Sequence, residues 1–226
     1  MEIYLEVGTR RVFAGAIEWP GFCRAGRGED EALTALLAAA RRYSKVMRGA
    51  RPAFPKPTSA RHLEIVERLG GDSTTDFGAP SAVPAADLRE IDEPELARLQ
   101  GLFGRCWRAL DRAAEAAEGL ELRRGPRGGG RELGAILDHV VGAQAGYLAS
   151  FASPRPRTEG RDPREAMPEV RAAVHEALSR AVTEGLPERG PRGGRIWRPR
   201  FFVRRSTWHI LDHAWEIEDR VITGRS

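Results

Sequence analysis

The stretch Thr207-Trp-His-Ile-Leu-Asp-His-Ala-Trp-Glu-Ile-Glu-Asp-Arg220 decides how the chain is read. At the turn of an α-helix, His209, His213, Glu216 and Arg220 fall within about 60° of one another on one face. Ile210 and Ile217 flank that face on one side, Trp208 and Trp215 on the other. A polar stripe bordered by large apolar residues does not suit open water. It points into a helical assembly, where its groups must be paired or ligated.

Histidines at i and i+4 project over the same patch and can share one metal ion. Two nitrogens are too few, so a third ligand must come from elsewhere. His139 is the best placed, because Ala135, Ile136, Ala143 and Gly146 on its helix are small or apolar and let a neighbour approach. His62 lies in the N-terminal region, and His175 has no second histidine on its turn. Three neutral imidazoles leave an ion such as Zn²⁺ an open position, a catalytic pattern more than a structural one. Nitrogen-only ligation puts zinc first and admits nickel or iron. The plainer readings are that His139 is a satisfied core histidine and that Glu216 and Arg220 form an ordinary i, i+4 ion pair. The other reading of Glu216, one turn beyond His213, is a group that orients a metal-ligating histidine or acts as an acid–base catalyst.

Three further long helices precede this one. Asp92 with Glu95 forms a capping box, Pro94 suits a first turn, and Gly119 makes a stop. Leu96, Leu99, Phe103, Cys106, Leu110 and Ala114 draw the apolar stripe between them. A second helix is expected over 132–151, and a third from Asp162-Pro163-Arg164-Glu165 to Gly185, with Pro168 disturbing its first turns. The last covers about 200–222. Four helices of this length argue for a four-helix bundle. Asp138-His139 and Asp212-His213 each follow a Gly-Pro-Arg-Gly-Gly loop, at 125–129 and 190–194, a weak internal repeat.

The N-terminal region reads differently. Residues 2–7 alternate, with Ile3, Leu5 and Val7 opposite Glu2, Tyr4 and Glu6, as in a half-buried strand. A second strand is expected over 11–18, closed by Trp19-Pro20-Gly21, then a helix over 29–47 and a strand over 62–69. Residues 51–60 carry three prolines and read as irregular. The expectation is therefore α+β: a small β-β-α-β unit over 1–82, a linker around 81–88, and a four-helix bundle over 88–226.

Composition narrows the function classes. No apolar run approaches the roughly 18 residues needed to cross a bilayer. Cys23 and Cys106 are far apart and form no thiolate zinc motif. The opening residues read as a strand and not as a signal peptide, so a cytoplasmic protein is expected. Among 36 lysines and arginines only Lys45 and Lys56 are lysine, yet 32 acids hold the formal charge to +4. Polybasic nucleic-acid binders concentrate positive charge, so nucleic acid is disfavoured as a partner. The exception is local: residues 189–205 hold seven arginines with Trp197, Phe201 and Phe202. Such a mixture can frame the mouth of a pocket for an anionic small molecule, or it can contact RNA. Arg127 and Arg192 in the glycine loops, with Arg204 and Arg205, are the anion-binding candidates, since glycines ahead of a helix let N–H groups cradle an anion.

The lone histidine of the second helix, a long third helix, and H-x-x-x-H within WHILDHAWEIEDR on the last resemble the DinB/YfiT-like metalloprotein superfamily, over about 88–226. The resemblance implies a divalent metal held by His139, His209 and His213. It also implies metal-dependent chemistry with low-molecular-weight thiols such as mycothiol, a transferase or its hydrolytic variant. Ala214-Trp215 departs from the family's second His-Arg dipeptide, so no substrate-binding group is carried over. Glu18-Trp-Pro-Gly-Phe-Cys-Arg-Ala-Gly26 followed by Glu31-Ala32-Leu33 is similar to the HicB-like antitoxin fold, which implies the fold alone. The competing expectation is a non-catalytic regulatory protein with a structural metal and an arginine-rich surface contacting RNA or protein. Whether the N-terminal unit makes a homodimer or lids the bundle stays open.

Overall fold

A computed structural model describes residues 1–123, 132–190 and 196–222. The chain is mixed α+β, with one four-stranded sheet and six helices among the described residues. Strand β1 (Glu2–Val7) pairs antiparallel with β2 (Val12–Ala16) and parallel with β4 (Glu64–Gly70); β3 (Cys23–Gly26) closes the other edge, giving the order β3-β2-β1-β4. Helix α1 (Glu29–Val46) carries the crossover and packs on β2 and β3. Its first turn holds Glu29, Asp30 and Glu31, charges that suit the positive end of a helix dipole.

The sequence reading of β-β-α-β lacks β3. Trp19-Pro20-Gly21 is a turn and not a terminus: Gly21 takes φ +87°, and the chain returns antiparallel along β2. Four residues with Arg24 at their centre leave too short an alternation to be read as a strand.

The second departure concerns β1. Ile3 and Leu5 are buried in the apolar core that Leu36 and Ala40 of α1 also line, as alternation requires, but Tyr4 and Glu6 on the opposite face are also fully buried. The segment 71–88 covers that face. Asp72 caps the short helix α2 (Ser73–Phe77), its carboxylate accepting from the backbone N–H of Thr74 and Thr75. The Glu6 carboxylate accepts from the Thr75 hydroxyl at 2.5 Å and the Ser81 N–H at 2.9 Å. A buried charge is tolerable only with such donors. Residues 81–88, expected as a linker, are thus fastened to the sheet, and Asp87 in the 3₁₀ turn Ala85–Leu88 is fully buried.

The four long helices lie close to their expected limits: α3 (Glu93–Ala116), α4 (Leu133–Ser150), α5 (Pro163–Thr183) and α6 (Pro199–Arg220). Asp92 caps α3 and Asp162 caps α5, each accepting from a first-turn N–H, but the capping box expected at Asp92 is left one-sided because the Glu95 carboxylate turns to Arg98 and Arg200. Pro168 sits inside α5 without ending it. Helix α3 packs on α6 and α5, and α4 packs on α5 and α6. The helix at the centre is α6: 15 of its 22 residues are buried. One continuous set of buried apolar residues runs from Ile3 and Leu5 through Tyr43 and Leu110 to Ile217, so the sheet and the long helices share it. Among the described residues no helix is long and apolar enough to cross a membrane.

Candidate metal centre

Two faces of α6 carry different duties. On one, Phe13 meets Trp208 edge-on at 6.0 Å, and the Arg24 guanidinium lies 3.9 Å from the Trp215 ring centroid. Arg42 of α1 adds ion pairs to Glu218 and Asp219. That face belongs to the N-terminal unit.

The other face holds the histidines. His209 and His213 stand one turn apart on α6, and His139 reaches them from α4. One ligand atom from each lies within 4.8 Å of the others. The Nε2 atoms of His139 and His209 are 3.2 Å apart. Two imidazole nitrogens so close need a ring hydrogen, as in an N–H···N hydrogen bond, or a shared cation between them. Metal–nitrogen bonds of about 2.0–2.1 Å in a tetrahedron put ligand nitrogens roughly 3.3 Å apart, so the pair already spans such an edge. Ring centroids of His139 and His209 lie 4.9 Å and 4.6 Å from that of His213. His209 is buried, His139 and His213 are half-buried, and the donor set is nitrogen only.

The sequence offered two readings of Glu216, and its side chain touches the partner that each of them names. Its Oε2 accepts from His213 Nδ1 at 2.7 Å, and its Oε1 accepts from Arg220 Nη1 at 2.6 Å. The hydrogen bond from His213 lowers its pKa, burial opposes, and Arg220 adds to the lowering. An ionised Glu216 fixes the proton of His213 on Nδ1 and leaves Nε2 as the ligating atom. Arg220 is held in turn by the Arg123 carbonyl at 2.8 Å.

The remaining expected residues separate. Arg204 is not brought to the histidines: it points the opposite way, its guanidinium donating to both Asp87 oxygens and to the carbonyls of Ala16 and Ile17. Arg205 faces Tyr147 and Trp208. Arg127 and Arg192 lie outside the described residues. Asp138 is exposed, and Asp212 pairs with Arg24 at 3.5 Å, so neither joins the cluster. His62 accepts from the Thr58 N–H, away from the others.

Sequence reasoning missed Tyr147, whose ring meets His209 edge-on at 5.7 Å and Trp197 at 5.2 Å. It lies two turns after His139 on α4, and that spacing was the available signal. Burial raises its hydroxyl pKa, against the lowering effect of Arg205. Comparison of the chain with family models, with curated proteins and with solved structures returns no match.

Proposed function

We propose that the chain is a divalent-metal protein in which His139, His209 and His213 hold the ion, organised like the DinB/YfiT-like four-helix bundles. We further propose that it is a metal-dependent enzyme acting on a small anionic substrate. The observation that carries this is the convergence of three imidazoles from two helices, with the outer nitrogen of His213 held by an ionised carboxylate. The residues present fit the group. Their nitrogen set suits zinc first and nickel or iron next, and no fourth protein ligand crowds the cluster among the described residues. Such an ion supplies Lewis acidity and acidifies a thiol or water that reaches it, the chemistry of thiol transfer with a carrier such as mycothiol, or of hydrolysis.

The chain's own side chains do the rest. Glu216 orients His213, and Arg220 keeps Glu216 ionised. Tyr147 and Trp197 wall the His209 side and limit water there. The alternative of an RNA-binding arginine surface is weakened where it can be followed. Arg200 is committed to Glu95 and Glu18, and Arg204 to Asp87.

Elemental analysis of the purified protein, beside the His209→Ala variant, tests the reading. About one equivalent of metal in the parent, lost in a variant that keeps its far-ultraviolet dichroism, is the expected result. Absence of metal after loading with excess Zn²⁺ or Co²⁺ refutes it.

A further inference from the structure

Helix α6 carries four arginines, and three have carboxylate partners. Arg200 pairs with Glu95 at 2.9 Å, Arg204 with Asp87 at 2.6 Å and Arg220 with Glu216 at 2.6 Å. Arg205 forms no ion pair among the described residues; Asp212, whose carboxylate feels its charge, is paired with Arg24 at 3.5 Å. Its Cζ lies 4.8 Å from the Trp208 ring centroid and 5.4 Å from that of Tyr147, and its Nη1 is buried with no hydrogen-bond partner. Arg171 and Arg200 also leave a buried nitrogen unmet, but both are already anchored on carboxylates.

The position of Arg205 gives this vacancy a direction. It stands four residues before His209, about 6 Å along the helix axis and on the same stripe. The two rings it touches also flank His209, Tyr147 at 5.7 Å and Trp208 at 6.3 Å. Stacking on aromatic faces holds a guanidinium while leaving its donor edge available. A divalent ion on three neutral imidazoles adds two positive charges, and the nearby Glu216 is already engaged by His213 and Arg220. The locality favours an anion, and a guanidinium fork matches a carboxylate with two parallel hydrogen bonds.

We propose that Arg205 is the carboxylate-recognition residue of this site. Its ligand is a small molecule with a metal-seeking donor at one end and a carboxylate at the other, its carbon body lying against Tyr147. The inference rests on the metal reading above and adds the second contact point.

The test uses the full chain loaded with Co²⁺, whose visible bands report ligand entry. The probes are succinic monohydroxamic acid, its methyl ester and acetohydroxamic acid. The hydroxamate head binds the metal in all three; only the first presents a carboxylate. The free acid is expected to bind about 10- to 100-fold more tightly than the ester, the gain from charge-assisted bonds to one arginine. Arg205→Leu should reduce that preference to less than about threefold while acetohydroxamate binding is unchanged. Arg205→Gln, closer in size and polarity, should do the same and serves if the leucine variant does not fold. An equal affinity for acid and ester in the parent, or a preference that survives in the variants, overturns the role of Arg205 alone. Cobalt bands that none of the hydroxamates perturbs overturn this proposal while leaving metal binding in place, and the absence of any protein-bound cobalt band overturns the metal reading and this proposal with it.

Discussion

Replacing Arg204 by methionine tests whether the buried pair between α6 and residues 81–88 holds the two parts of the chain together. The guanidinium donates through Nε and Nη2 to the two Asp87 oxygens at 2.6 and 2.8 Å, and to the Ala16 and Ile17 carbonyls at 2.5 and 2.7 Å. Asp87 is fully buried and Arg204 is 4% exposed, so solvent screens neither charge. Methionine keeps the packing volume of the stem but leaves the Asp87 carboxylate without a cation. Breaking a buried pair from one side costs about 3–5 kcal/mol, because an uncompensated charge remains. With a urea slope near the upper end of the usual range, about 3 kcal/mol/M, the midpoint should fall by roughly 1–1.7 M. Removing both charges in Arg204→Met/Asp87→Leu should restore most of that loss, since a well-packed apolar pair is often no less stable than the ions it replaces. Metal content should be the same in the folded single variant, because Arg204 does not face the histidines. A midpoint shift below about 0.3 M in the single variant, or strictly additive losses in the double, would refute the reasoning.

Three other outcomes follow from the geometry. Glu216→Ala frees His213 Nδ1, and metal affinity measured by competition with a chelating dye should drop about 10- to 100-fold with little change in melting temperature of the metal-free protein; an unchanged affinity would show that Glu216 serves only Arg220. Burial pushes the Cys23 thiol up to about 12 and raises Cys106 as well. At pH 8 a thiol of that pKa is ionised to roughly one part in 10⁴, against about a quarter for an ordinary cysteine. A disulfide reagent should therefore label neither until urea unfolds the chain, and rapid native labelling would contradict the burial. Gly15→Ala and Gly101→Ala should move the melting temperature in opposite directions. A Cβ at Gly15 meets the buried Tyr4 ring at 2.5 Å, whereas one at Gly101, inside α3, meets nothing within 4 Å. The first should cost about 1–3 kcal/mol, and the second should gain up to about 1 kcal/mol.

The helical half was legible because its signals are local. Asp92 and Asp162 cap the helices they were expected to cap, and the 3.6-residue stripe of α3 is buried at Leu99, Phe103, Cys106 and Leu110. The His209–His213 pair was legible for the same reason, since a helix converts a spacing of four into a shared patch, and His139 was legible from the small and apolar residues on its own helix. What could not be read depends on contacts distant in sequence. Glu6 looks like the wet side of an alternating strand, and it is dry because Ser81, 75 residues away, donates to it. Arg204 and Arg205 are adjacent and chemically identical, yet one meets Asp87 across 117 residues and the other meets aromatic rings. Nothing in a basic run distinguishes them without the fold.

The helical wheel of α6 accounts for that divergence. Arg204, Trp208, Leu211 and Trp215 fall within about 60° of one another, and Arg205, His209, His213, Glu216 and Arg220 form a second face roughly 130° away. The first face meets the sheet unit, through Asp87, Phe13, Gly21 and Arg24. The second meets α4 and the segment after α3. Read from the sequence, Trp208 and Trp215 border the histidine stripe and enclose it. They belong mainly to the opposite interface, and the wall of the histidine face is supplied instead by Tyr147 and Trp197 from outside α6. A helix gripped along one whole face has little freedom to rotate about its axis, and a rotation of one residue would carry His209 and His213 about 100° from His139. The N-terminal region therefore bears on the histidine cluster without touching it: contacts along a whole face, from Arg204 to Trp215, fix the angle at which α6 presents two of the three imidazoles, and the loss of one contact leaves the others to hold it.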